Sequence, residues 1–199
     1  EFIKRNISVF SVLGIILVTI SAVLWGIDGI ILTPRLYNLP VDFVVFLLHL
    51  LPFVLMLIFF GKELKHLRDF TKRDYIGFTL IGLFGGALGT LAIVKAMFLV
   101  NFQSLTVVVL LQKLQPIFAI ILAKFILKEK IGKNFVAFAL VAIVSGYFLT
   151  FGIAMPNLSI TNYVQASFYA LLAAFSFGSA TVFGKLVLGK WNFRTALFY

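Results

Sequence analysis

The chain is 199 residues long, 62% apolar and 12% charged, with 17 Lys and Arg against 7 Asp and Glu for a net charge of +10. A mean hydropathy of +1.11 excludes a soluble globular domain, whose apolar fraction is nearer half. The absence of Cys excludes a disulfide framework, a thiolate metal site and a cysteine nucleophile; the basic residues are scattered through short loops without interleaved aromatics, which excludes nucleic acid as a partner.

Six apolar runs of about 20 residues each match a hydrocarbon core of about 30 Å and predict an all-α, polytopic transmembrane bundle. The first covers residues 10–33, contains Trp25, Gly26, Asp28 and Gly29, and is closed by Pro34. Lys4 and Arg5 precede it, as in a signal peptide, but the run is too long for a signal core and carries Asp28, so it reads as an uncleaved span. The second run, 41–60, holds His49 near its centre and Pro52 just after; a basic loop follows with Lys62, Lys65, Arg68, Lys72 and Arg73. The third, 75–98, carries the overlapping pairs Gly82/Gly86 and Gly85/Gly89, which let helix backbones approach closely. The fourth, 104–126, contains Gln112, Lys113, Gln115 and Pro116; Lys128, Lys130 and Lys133 lead into the fifth, 134–153. The sixth, 164–188, precedes Lys190 and Arg194, and the chain stops at Tyr199 inside a further apolar stretch. With no initiator Met, it reads as a fragment whose partners are the bilayer and a missing C-terminal repeat or second subunit.

Fourteen of the 17 basic residues fall on one side of these spans, Arg35 alone lies on the other, and Lys95 and Lys113 lie within spans. Positive residues stay cytoplasmic, so the N-terminus is expected inside and the turns near 34–40, 99–103 and 154–163 outside. Asn157-Leu158-Ser159 in the last of these fits a glycosylation sequon. Short loops and the lack of Cys suit a prokaryotic inner or plasma membrane. At an offset of 152 residues Trp25-Gly26 lies against Phe177-Gly178, Thr33 against Lys185 and Asp42 against Arg194. The matched helices are the first and the sixth, with four spans between them, so they run in opposite directions, as in inverted-repeat transporters with a site at the repeat interface.

Gln112 to Leu149 carries the most recognisable pattern: Pro116 in a span, then Leu127-Lys128-Glu129, then a further span with Gly146 near its end. This stretch resembles the EamA-type half of the drug/metabolite transporter superfamily, and Trp25-Gly26 with the polar interruption after it is similar to the start of that half. The resemblance covers residues 12–199. Ala139 departs from it, standing where the family often has Gly. It implies one five-helix repeat (10–153) and the start of an inverted second repeat (164–199) out of ten spans. It also implies a central cavity with alternating access. Relatives of this kind carry amino acids, nucleotide sugars, phosphorylated sugars or drug-like amines.

Ionisable and polar groups inside spans are functional candidates because burying them is costly. Lys113 lies near the middle of the fourth span: one reading is a contact to a substrate anion or a proton-coupled switch, the other a structural ion pair or hydrogen bond. Asp28 would bind a cationic substrate, carry a coupling proton, or pair with Lys113 or Lys95. Gln112 and Gln115 are neighbours at i,i+3, whereas Lys113 points about 100° away, so the three do not share one narrow cavity. His49 is read as a proton relay or a hydrogen-bonded packing residue, and Trp25 and Tyr147 as stacking or packing groups. Lys95, Lys124 and Lys185 near helix ends read as snorkelling anchors. No nucleotide-binding loop appears, and His49 and His66 are the only histidines, so neither ATP hydrolysis nor a membrane enzyme is expected. The sequence thus points to a cofactor-free secondary carrier of a small polar metabolite, such as an amino acid or organic anion, or a drug-like molecule. The alternative is a non-transporting membrane structural or assembly subunit.

Overall fold

The computed structural model describes residues 9–102, 105–153 and 162–199. Lys4, Arg5, Ser104 and the Asn157-Leu158-Ser159 sequon lie outside the described residues. The chain forms two compact units, Glu1–Pro40 and Val41–Tyr199, and no strand occurs among the described residues.

In the first unit α1 (Val9–Ile27) widens into a π-helical segment, Asp28–Leu32, and closes with the single turn α2 (Thr33–Arg35). Pro34 cannot donate to the carbonyl four residues back. The ladder absorbs this by shifting register, with the Thr33 amide donating to the Asp28 carbonyl in the π spacing.

The second unit opens with α3 (Val41–Phe60), which carries Pro52 in its interior and runs into a 3₁₀ segment, Gly61–Asp69. The third span is one helical rod made of α4 (Lys72–Ile81), a π segment (Gly82–Leu88) and α5 (Gly89–Leu99). It starts at Lys72, earlier than its apolar run, because Thr71 and Asp74 close a capping box: the Thr71 amide donates to Asp74 Oδ2 at 2.7 Å. The fourth span is α6 (Leu105–Gln112) and α7 (Gln115–Ile126), followed by α8 (Lys133–Phe151), α9 (Asn162–Leu188) and α10 (Phe193–Phe198). Asn192 caps α10 by accepting from the Thr195 amide at 2.9 Å. Among the described residues five helical segments are long and apolar enough to cross a membrane: Val12–Arg35, Val41–Asp69, Lys72–Leu99, Leu105–Ile126 and Asn162–Leu188. Within α8 the stretch Asn134–Phe148 is apolar but shorter.

The core of the second unit is α9, which packs on α4, α5, α6, α7 and the π segment of the third span. Its buried residues are Ala, Ser, Gly and Val only, with Ala170, Ala173, Ala174 and Ser176 fully buried. Small side chains make this approach possible, since apolar helices in lipid associate by close packing rather than by escaping water. A Cβ on Gly178 would stand 3.0 Å from both the Ala119 nitrogen and the Gln115 carbonyl oxygen, so α9 and α7 touch backbone to backbone there. On the opposite side Gly85 faces the Ala180 methyl and Gly89 faces the Phe177 ring.

One end of this unit is tied together by side chains. Lys190, just past α9, donates to Asp74 at the start of α4. Thr195 donates to Glu63 Oε2 at 2.6 Å, and the Tyr199 hydroxyl donates to the Glu63 carbonyl at 3.0 Å. Phe70 fills the space between, its ring 4.7–4.8 Å from those of Tyr199, Trp191 and Phe78.

Candidate functional site

The fourth span is broken near its middle. Pro116 has no N–H to give the Gln112 carbonyl, and the Ile117 amide turns to Leu114 at 2.9 Å instead of continuing the ladder to Lys113. Lys113 and Leu114 therefore form a turn between α6 and α7. A helix interrupted at membrane depth exposes backbone polar groups only where protein or a cavity can receive them.

The side chains at this break form a polar chain between the fourth span and α9. Gln112 is 3% exposed, and its Nε2 donates to Gln115 Oε1 at 3.1 Å. Gln115 Nε2 donates to Thr181 Oγ1 at 3.2 Å, and the Thr181 hydroxyl donates to the Phe177 carbonyl at 2.8 Å. Gln112 Oε1 is buried and has no hydrogen-bond partner, a state that costs about 1–3 kcal/mol. Exposure grades along the chain: Gln112 is buried, Gln115 half-buried and Thr181 exposed. The chain carries no formal charge.

The i,i+3 relation of the two glutamines thus becomes a hydrogen bond, and Thr181, which sequence reasoning did not single out, completes the group. Lys113 occupies the turn itself, exposed, with its amide on the Val109 carbonyl at 2.9 Å. His49 lies on α3, its Nδ1 2.8 Å from the Val45 carbonyl and its Nε2 3.6 Å from where a Cβ on Gly86 would sit. It therefore belongs to the contact between α3 and the π segment of the third span. Asp28 and Trp25 belong to the first unit. Asp28 opens the π segment, with Oδ1 buried and unpartnered, and Trp25 is exposed on α1. Lys185, read from sequence as a snorkelling anchor, has a carboxylate partner in Glu129; Lys190, counted among the topological charges, has one in Asp74.

Beside the break a groove of about 520 Å³ opens between α6, α7, α8 and α9. Leu111, Leu114, Phe118, Tyr147 and Phe168 are among its apolar walls. Gly146 floors it, with room for a Cβ 3.4 Å from Leu111. Among the described residues no group of His, Asp or Glu is arranged to hold a metal ion.

Residues 12–152 match the model of the EamA-like transporter family. The chain belongs to this family. With the helices long and apolar enough to span a bilayer, this makes it a multi-pass membrane protein. Over 187 residues it is 58% identical to a protein named riboflavin transporter ImpX from Fusobacterium nucleatum subsp. nucleatum. That alignment takes in 93% of this chain and 62% of the relative, so the chain spans less than two thirds of the curated protein it matches. No solved structure matches it.

Proposed function

We propose that the protein containing this chain is a secondary carrier that moves riboflavin, or a flavin of the same kind, across a cell membrane by alternating access between inverted repeats. The observation that carries the reading is the interrupted fourth span with its buried, partly unsatisfied amide chain. Broken helices near the bilayer midplane are where carriers of this architecture place substrate. The name of the 58% identical relative supports the substrate class.

Riboflavin is neutral, so the site needs no counter-charge for it. Gln112 is then the polar contact, held in place by Gln115 and Thr181. Lys113, Asp28 and His49 are candidates for the coupling charge. The one-sided distribution of basic residues supports a cytoplasmic N-terminus. Residues 10–153 are assigned to the first repeat and 164–199 to the start of the second.

Reconstituting the full-length protein in liposomes and following riboflavin uptake tests this. Saturable uptake above empty vesicles, uninhibited by amino acids or organic anions, is the expected result. Uptake no faster than in empty vesicles would overturn it and favour a non-transporting membrane subunit.

A further inference from the structure

The orphaned oxygen of Gln112 restricts what the site takes. It is a hydrogen-bond acceptor, so an anionic group placed against it is repelled. A cation would be received by neutral amide oxygens alone, since neither Gln112, Gln115 nor Thr181 carries charge. What remains is a neutral group that brings its own N–H or O–H. Gln112 Nε2 has two N–H bonds, one spent on Gln115 Oε1 at 3.1 Å, which leaves one donor beside the unpartnered acceptor. An amide with one free donor next to one free acceptor is the complement of a ring edge where an N–H adjoins a carbonyl. The same logic lets Gln and Asn read a base edge in two hydrogen bonds.

Resting on the flavin reading above, we propose that Gln112 reads the imide edge of the flavin ring. Its Oε1 accepts from the ring N3–H, and its remaining N–H donates to the adjacent ring carbonyl. Gln115 and Thr181 are positioning residues. Gln115 holds the Gln112 amide in one orientation through Oε1, and Thr181 holds Gln115 through a hydroxyl itself anchored on the Phe177 carbonyl. Gln112 is buried while Thr181 at the far end of the amide chain is exposed. In the proposed site, substrate would reach Gln112 from the Thr181 side, between α9 and the fourth span. Leu111 and Phe118, at i−4 and i+3 from Gln115, both line the apolar groove, so the amide chain borders a surface suited to the apolar end of the same ring.

The test compares riboflavin with its N3-methyl derivative, which keeps both carbonyls and loses the N–H, for binding to the full-length protein by quenching of flavin fluorescence. The wild-type protein should bind the methylated flavin at least tenfold more weakly, because a buried acceptor is left unpaired. Gln112→Leu should bind riboflavin about tenfold more weakly and discriminate between the two flavins by less than about threefold. Thr181→Val removes an exposed hydroxyl, leaves the core intact, and should lower the discrimination by about threefold; it decides the matter if Gln112→Leu fails to assemble. Equal binding of both flavins by the wild type, or wild-type discrimination retained in the variants, overturns the assignment of Gln112 while leaving flavin transport standing. A wild-type protein that binds neither flavin overturns the transport reading and this assignment together.

Discussion

Lys190 and Asp74 are joined across 116 residues of sequence. Asp74 is the third residue of α4, buried, and also accepts from the amide and hydroxyl of Thr71 at 2.7 and 2.6 Å. One carboxylate thus caps the third span and fastens the far end of α9 to it. Together with Glu63, Thr195 and the rings around Phe70, this holds one end of the second unit shut.

Asp74→Ala removes the cap and the ion pair at once and is expected to destabilise the folded protein by about 1–3 kcal/mol. Lys190→Met leaves both Thr71 bonds in place and removes a half-exposed ammonium, so its cost should stay below about 1 kcal/mol. Thermal unfolding of the detergent-solubilised protein, followed by loss of the monodisperse peak, ranks the two. Equal losses would show that the ion pair, not the cap, dominates.

Gly178 and Gly184 lie on the same helix but in opposite situations. A Cβ at Gly178 meets the α7 backbone at 3.0 Å, whereas nothing lies within 4 Å of one at Gly184. Gly178→Val should cost about 2 kcal/mol or more through forced separation of α7 and α9. Gly184→Ala should be neutral or stabilising by up to about 1 kcal/mol through helix propensity. The same unfolding measurement checks both, and a tolerated Gly178→Val would contradict the backbone contact.

Pro116→Ala restores the N–H that the Gln112 carbonyl lacks and lets the fourth span run straight. Thermal stability should hold or rise, because an interior proline costs a helix about 3 kcal/mol. Riboflavin uptake in liposomes should nonetheless fall by about tenfold as the amide chain loses its register. Unchanged uptake would dissociate the break from transport.

On the proposed carrier reading, Lys113→Met is expected to separate substrate binding from coupling. The affinity for riboflavin should stay within about threefold of wild type, since Lys113 lies on the turn and outside the amide chain. Accumulation against a gradient is the readout expected to change. A large loss of affinity with unchanged accumulation would make Lys113 a substrate contact.

Apolar run length made the helical bundle legible, and i,i+3 spacing made the Gln112–Gln115 pair legible. Thr181 was not, because it lies 66 residues from Gln115 and sits in a helix apolar on every side, where periodicity carries no direction. The partners of Lys185 and Lys190 were hidden for a different reason. A lysine beside a span satisfies the orientation rule whether or not a carboxylate waits for it. The π segments at Asp28–Leu32 and Gly82–Leu88 depend on where neighbouring helices press, which no local propensity encodes.

The small-residue face of α9 also sets an order of events during synthesis. Helices α3 to α8 precede it in the chain, and α4 to α7 find their common partner only when α9 has entered the bilayer. Until then Gly77, Gly85 and Gly89 lack the α9 side chains they face, Val187, Ala180 and Phe177. The packing of α4 to α7 within this unit is therefore completed only once α9 has been made.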